Sequence, residues 1–268
     1  MINSETQQAL RLRFNPDGSP LRNLQLRLLD MLKYIDNVCR ENNIHYWISS
    51  GTALGAVRHG GFIPWDDDAD IEMLKPDYKK LVKVLKDNPD SRFVLQDYST
   101  DIEYSGVVAK LRDTQSTILE YNPGEEFYKH KGVFIDLFCI EPSNTPKLNR
   151  ISHMIQLSGL FYIGKIKKRF LRHTLMRFNR LWICGLLFPA LSLIGRIGNK
   201  ERLRHVIGSG FPAQRRYSEV CKSVYVDFED TQLPVPHKVH EYLTRLFGDY
   251  NRLPDIDNIH PHAQKIEL

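Results

Sequence analysis

The sequence predicts an α/β fold: a sheet flanked by helices, with a basic helical insertion. Three observations carry this. Strand-like and helical stretches alternate through the first 140 or so residues. The run Val133–Ile140, VFIDLFCI, is almost wholly apolar, as a central strand covered on both faces would be. The 59 residues from Pro142 to Lys200 hold no Asp or Glu and place their apolar residues at helical spacing. A chain of 268 residues suits one large domain or two small ones. The insertion, about 145–212, shows no core pattern of its own, so a single domain over 1–268 is expected.

The elements follow in order. Leu24, Leu28, Leu32, Ile35 and Cys39 recur on one helical face, which predicts a helix over Leu21–Asn42 that ends at the Asn-rich turn after it. Ile44–Ser49 reads as a short strand and Thr52–His59 as a short helix stopped by Gly60-Gly61. Ala69–Leu74 reads as a strand and Asp77–Lys86 as a helix; Phe93–Gln96 and Val107–Arg112 are further strands, before the central Val133–Ile140. In the insertion Leu171, Leu175, Phe178 and Trp182 recur three or four apart, and so do Lys165, Lys168, Arg169 and Arg172. Gly208–Pro212 breaks that pattern. An extended LPVP stretch (Leu233–Pro236) and a helix over His237–Phe247 follow.

The net charge of +5 conceals an asymmetry. Eleven Lys or Arg residues lie between Pro142 and Lys200, which leaves 26 basic against 32 acidic residues elsewhere. A nucleic-acid binder is more often basic throughout or over a whole face, so no nucleic-acid partner is expected. The four cysteines, Cys39, Cys139, Cys184 and Cys221, form no CxxC pair, which argues against a zinc ribbon or thioredoxin-type site and fits a reducing compartment. The first residues lack the apolar stretch of a signal peptide. No run reaches the roughly 20 apolar residues of a membrane span; Leu181–Gly195 comes closest and contains Pro189. A cytoplasmic location is expected.

The chemistry concentrates in GTALGAVRHGGFIPWDDDAD, Gly51–Asp70. Asp66, Asp67, Asp68 and Asp70 fall within five positions and repel one another unless cations sit among them. In a strand, residues two apart share a face, so Asp68 and Asp70 point together, with Asp66 beside them if the backbone stays extended. Hard oxygen ligands suit Mg²⁺ or Mn²⁺. Asp136, the one charge in the apolar strand, is a third candidate ligand. An acidic loop is more often a solvated turn or a set of helix caps, and a lone buried Asp is as often paired with Lys or Arg. Against the first alternative, this cluster runs into a strand and follows a Gly-rich turn. That turn, Ser50-Gly51-Thr52, precedes a helix start, where backbone N–H groups favour an anion; an ordinary N-cap is the commoner explanation for such a turn alone. A phosphate cradle about 17 residues before paired carboxylates is a layout for metal-assisted phosphoryl transfer.

The stretch YWISSGTALGAVRHGGFIPWDDDADIEM closely resembles the signature of the LicD family of phosphocholine transferases, which includes the fukutin-related proteins. VVAKLRDTQSTILE (107–120), GVFIDLFCIEP (132–142) and VPHKVHEYLTRLFGDYNRLP (235–254) resemble its later blocks, so the likeness covers most of 21–262. Ala69, where a larger apolar residue is commoner, and Cys139-Ile140, in place of Phe-Pro, depart from the pattern without touching a proposed ligand. The resemblance implies a nucleotidyltransferase-like mixed sheet and a single catalytic domain. It also implies transfer of a phospho-alcohol, phosphocholine in the type activity, from a CDP-linked donor such as CDP-choline to a hydroxyl of a glycan or its lipid-linked precursor. Asp68, Asp70 and Asp136 would be the catalytic carboxylates and, with Asp66, the ligands of Mg²⁺ (or Mn²⁺). Asp66 and Asp67 are either ligands or support them. Ser50, Gly51, Thr52, Arg58, Lys110 and Arg112 would hold the donor phosphates, although a salt bridge explains each of these three cations equally well.

Tyr46, Trp47, Trp65, Tyr104 and Tyr121 are candidate walls of a choline cage, and each is more often a core residue. His59 suits a structural hydrogen bond better than a phosphate contact, and His260 and His262 have no partner cysteines for zinc. The basic segment, about 165–195, either lies on an anionic inner leaflet with Trp182 and Leu186–Phe188 dipping in, or is a lid packed on the core. Two other functions compete with the transferase: nucleotidyl transfer from an NTP on the same metal site, and a non-catalytic, membrane-associated scaffold for glycan assembly. The intact carboxylate set argues against the scaffold.

Overall fold

The computed structural model describes residues 3–119, 124–211, 213–257 and 265–268. Tyr121, His260 and His262 lie outside them. Helix α1 (Ser4–Phe14) leads into α2 (Pro20–Glu41), where Ser19 accepts from the Arg22 N–H and Pro20 opens the first turn. Leu24, Leu28, Met31, Leu32, Ile35 and Cys39 bury one face of α2 against the sheet.

The main sheet is mixed. Its strands are β1 (Trp47–Ile48), β2 (Asp70–Leu74), β3 (Phe93–Gln96), β4 (Lys110–Asp113) and β6 (Phe134–Pro142), in the order β1-β2-β6-β4-β3. Strand β5 (Thr117–Leu119) pairs elsewhere, with β11 (Lys265–Glu267). The pair β2–β6 is parallel, and the other pairings are antiparallel. As its apolar sequence requires, β6 sits at the centre: Ile135, Leu137 and Ile140 are fully buried. Helices α3 (Ser50–His59) and α4 (Lys75–Asp87) flank β2 in sequence and pack on the sheet. Gly60, at φ +67°, takes the left-handed conformation that ends α3.

Two strands are shorter than the sequence suggests. Only Trp47–Ile48 of 44–49 pairs, because the chain leaves Asn43 at φ +50° and turns into α3 at Ser49. Strand β4 starts at Lys110 and not Val107, because the Val108 carbonyl accepts from the Tyr104 hydroxyl and the Ala109 N–H donates to Tyr78.

After β6 come α5 (Pro146–Gly164), α6 (Arg169–Phe178), a π-helical stretch Asn179–Leu187, and α7 (Phe188–Gly195). Residues 169–195 form one helical path, long and apolar enough by length and composition to cross a membrane. The linear sequence obscures this, because Arg172, Arg177, Arg180 and Pro189 interrupt its apolar residues. The helices end at Gly195. Within the stretch expected to be helical, β7 (Arg202–His205) returns to the sheet on the far half of β6 and pairs with β8 (Arg215–Arg216). Helix α8 (Tyr217–Val220), the hairpin β9 (Ser223–Phe228)–β10 (Thr231–Pro236) and α9 (Val239–Phe247) complete the core with Phe228, Leu233, Val235, Tyr242 and Leu243.

Candidate active site

The parallel pairing places Asp70 of β2 directly beside Asp136 of β6. Adjacent strands lie about 4.8 Å apart, so two carboxylates on one face share a site. Asp68 precedes Asp70 by two residues, just before the strand begins. Burial raises the Asp70 pKa well above the ordinary carboxylate value, and the charges of Asp68, Asp136, Asp66 and Glu72 raise it further. Asp66 is raised in the same way, by burial and then by Asp68 and Asp67, with Arg58 opposing. Asp67 is buried, whereas Asp66, Asp68, Asp70 and Asp136 are half-buried at the site.

The turn that opens α3 is tied to this cluster. Ser49 N–H donates to the Asp70 carbonyl (3.0 Å), and Asp70 N–H donates to Thr52 Oγ1 (2.9 Å). Ser50 sits at φ +48°, an uncommon conformation for a residue with a Cβ, and its N–H donates to the Tyr242 hydroxyl (3.2 Å). Gly51 lets Asp66 approach closely, since a Cβ there would stand 2.9 Å from Asp66 Oδ2 and push the carboxylate aside. The helix N-terminus therefore faces the carboxylates.

The residues fit a divalent cation. Asp66 Oδ2 is buried without a hydrogen-bond partner, and the carboxylates around it repel one another. Among the described residues no group of three or more His, Cys, Asp or Glu is arranged to hold a metal ion by itself. An ion held here would need further oxygens, as Mg²⁺ takes from substrate phosphates.

Of the three cations expected to hold phosphate, the structure brings one to the carboxylates. Lys110 lies across from Asp136 on β4, with Nζ 3.5 Å from Asp136 Oδ1 and 3.3 Å from the Phe134 ring centre. Arg58 is buried, and its guanidinium donates to the carbonyls of Tyr250 (2.9 Å) and Arg252 (3.4 Å), so it tethers the C-terminal segment and reaches Asp66 through charge alone. Arg112 is also buried, donating to Gln96 and to the Gly132 carbonyl. Both arginines serve as internal ties in this structure, because a buried guanidinium must satisfy its donors within the protein.

His59 makes a structural contact, Nδ1 to Gln7 Oε1 at 2.6 Å. Burial, then Arg58 and Arg11, push its pKa down to about 3. Tyr46 and Trp47 are core residues, and Trp65 packs edge-on against Phe14 and His59. Tyr104 does line a cavity, of about 640 Å³, with Lys110, Asp136, Phe138 and Phe161.

Three supporting residues escaped the sequence reading. Gln25 of α2 holds the acidic loop by donating to the carbonyls of Ile63 and Asp66. Glu72, fully buried, accepts from Trp47 Nε1, Arg215 and the Tyr242 hydroxyl, and lies 2.8 Å from His205 Nε2. Burial alone would raise its pKa, yet Arg215 and His205 hold it at about 2. Tyr242 thus joins Glu72 to Ser50. The alternation Asp68-Asp70-Glu72 was the one available signal; Gln25 and Tyr242 had none.

The LicD/FKTN/FKRP nucleotidyltransferase domain matches residues 43–190, more than half of the chain. The lipopolysaccharide cholinephosphotransferase LicD of Haemophilus influenzae is 29% identical over 262 residues, covering 90% of this chain and 95% of that protein. The ribitol 5-phosphate transferase FKRP of Homo sapiens is 41% identical over 44 residues, 16% of this chain and 9% of that protein. The chain belongs to the LicD/FKTN/FKRP nucleotidyltransferase-domain family, and it is a phosphotransferase.

Proposed function

We propose that the chain transfers a phospho-alcohol, phosphocholine foremost, from a CDP-linked donor to a hydroxyl of a cell-surface glycan or its lipid-linked precursor. The register of Asp70 with Asp136, beside the α3 N-terminus, carries this reading. Two of the similar proteins are named for transfer of such groups, cholinephosphate and ribitol 5-phosphate. The donor pyrophosphate lies between the carboxylates and the turn Ser50-Gly51-Thr52, where the N–H groups of Gly51 and Thr52 complement its charge while that of Ser50 is held by Tyr242. Asp68, Asp70 and Asp136, with Asp66, would hold Mg²⁺ or Mn²⁺. The ion supplies charge neutralisation at the pyrophosphate and at the CMP leaving group. Asp136 takes the proton of the acceptor hydroxyl as its oxygen attacks the phosphorus bearing the alcohol, the P–O bond to CMP breaks, and Lys110 steadies the Asp136 carboxylate beside it. The enzyme works in the cytoplasm.

The test is ³¹P NMR of the purified chain with Mg²⁺, a panel of CDP-alcohols and a glycan-enriched extract, beside Asp68→Asn and Asp70→Asn. CMP release with a new phosphodiester signal, absent in both variants, is expected. Pyrophosphate release from an NTP instead would move the reaction to nucleotidyl transfer, and silence with every donor would favour the scaffold.

A further inference from the structure

The helices α5–α7 carry a surface that the catalytic reading does not use. Their inner side is fastened to the body at both ends. Arg172 donates to Glu103 through Nε (2.8 Å) and Nη2 (2.7 Å), and Ser192 donates to Glu141 (2.7 Å), which also pairs with Lys75 (2.8 Å). Met176, Asn179, Phe188 and Gly195 are buried along the same side. A helix held flat at residues 172, 176, 179, 188, 192 and 195 does not stand up to cross a bilayer, although 169–195 has the length and composition to do so. Its outer side is apolar and uncovered: Phe170 is 86% exposed, Leu181 65%, Trp182 54% and Leu193 65%. Lys165, Lys167, Lys168, Arg169 and Arg177 are exposed on the same segment, Arg169 and Arg177 in a groove shared with Asp101 and Glu103, and 142–200 holds no acidic residue.

We infer that α5–α7 lie in the plane of an anionic lipid leaflet, and that the cavity beside Asp136 opens at that interface. Monomeric soluble proteins rarely expose so large an apolar surface without a partner. An apolar face with exposed cations on the same helical segment fits headgroup phosphates outside and acyl chains within. A second copy meeting face to face would oppose the same positive charge, and a nucleic acid would leave Phe170, Leu181 and Trp182 in contact with a polar backbone. The link to the site runs through α5. Leu157, Phe161 and Tyr162 line the cavity that holds Lys110 and Asp136, and all three are also exposed to solvent, so the cavity wall on α5 is open to the outside. An acceptor whose lipid tail stays in the leaflet can therefore bring its hydroxyl to Asp136 without leaving the membrane. The docking stands on its own, whereas this delivery route rests on the transferase reading.

The test is sedimentation of the full chain with vesicles of phosphatidylcholine alone and with phosphatidylglycerol added, at low and high salt, with light scattering on the free protein. Binding to the anionic vesicles only is expected, reversed by salt. It should fall more than tenfold in Lys167→Gln/Lys168→Gln/Arg169→Gln and in Leu181→Glu/Trp182→Glu, and stay unchanged in Lys83→Gln on α4, with circular dichroism confirming that each variant folds. Equal binding to both vesicle types, no binding to either, a dimer abolished by Leu181→Glu/Trp182→Glu, or retention of chain from cell membranes after alkaline and high-salt washing would each overturn it. Vesicle binding without CMP release would sink the transferase reading alone. CMP release with a soluble acceptor but no vesicle binding would sink the membrane inference alone.

Discussion

Tyr242 donates its hydroxyl hydrogen to Glu72 and accepts the N–H of Ser50, so one phenol joins the buried acid of β2 to the turn that opens α3. Glu72 lies two residues beyond Asp70 on the same strand, and Ser50 is held at a positive φ. Tyr242→Phe removes both bonds while keeping the ring. It should cost about 1–3 kcal/mol in chemical denaturation, the penalty for leaving buried partners unsatisfied. Because the turn is then less firmly placed, CMP release at saturating donor should fall more than donor affinity. Unchanged kinetics with lowered stability would reduce Tyr242 to a packing residue.

The carboxylates should be expensive for stability and necessary for turnover. Asp70→Asn removes a repulsive charge between Asp68 and Asp136. We expect a melting temperature equal to or above the parent, with turnover reduced about 10²–10³-fold or more, the range seen when an electrostatic stabiliser is lost. Differential scanning fluorimetry beside a CMP-release assay reads both. A variant that melts lower and keeps its activity would contradict the assignment.

Divalent cation should stabilise the folded chain by binding it in preference to the unfolded one. Mg²⁺ or Mn²⁺ is expected to raise the melting temperature in a concentration-dependent way, EDTA to reverse this, and Asp70→Asn to abolish it. Equal responses in parent and variant would place the cation elsewhere.

Gly51→Ala sets a Cβ 2.9 Å from Asp66 Oδ2. The carboxylate must shift away from the turn, so cation affinity should weaken severalfold while the fold survives. Titration of the melting temperature with Mn²⁺ measures it, and an unchanged midpoint would show that Asp66 is not a ligand.

His59 stays neutral in the folded chain down to about pH 3, mainly because it is buried, whereas the unfolded chain protonates near 6.5. Between those values the unfolded state binds the extra proton. Stability from this group is therefore full above pH 6.5 and is lost as the pH falls toward 3, at up to about 1.4 kcal/mol per pH unit. His59→Asn should flatten the slope of unfolding free energy over this window. An identical slope would assign the acid sensitivity to other groups.

Much of this was legible in the chain. An apolar run with a single Asp places Asp136 on a central strand whatever surrounds it, whereas the alternation expected of Asp68 and Asp70 does not apply as a strand rule, because the strand begins only at Asp70. Helix α2 announced itself by its periodic leucines and strand β3 by its apolar run. What the pattern does not contain is which cation reaches the site. Lys110, Arg58 and Arg112 look alike in sequence, yet only Lys110 stands beside Asp136, while the two guanidinium groups are enclosed and tie carbonyls together.

Sequence alone determined the carboxylate set, the central strand and the acid-free helical segment, because those properties depend on residue type and local periodicity. The tertiary structure decided the rest. It set Asp70 beside Asp136, more than sixty residues away, through a parallel register that no local pattern encodes. It also turned the Phe170 and Trp182 side of the basic helices outward, because the half-buried Glu103 and the buried Glu141, both outside those helices, claim the opposite side. A long-range partner can be chosen only once the chain is folded, and here such partners decide which charges are consumed inside and which surface is left exposed.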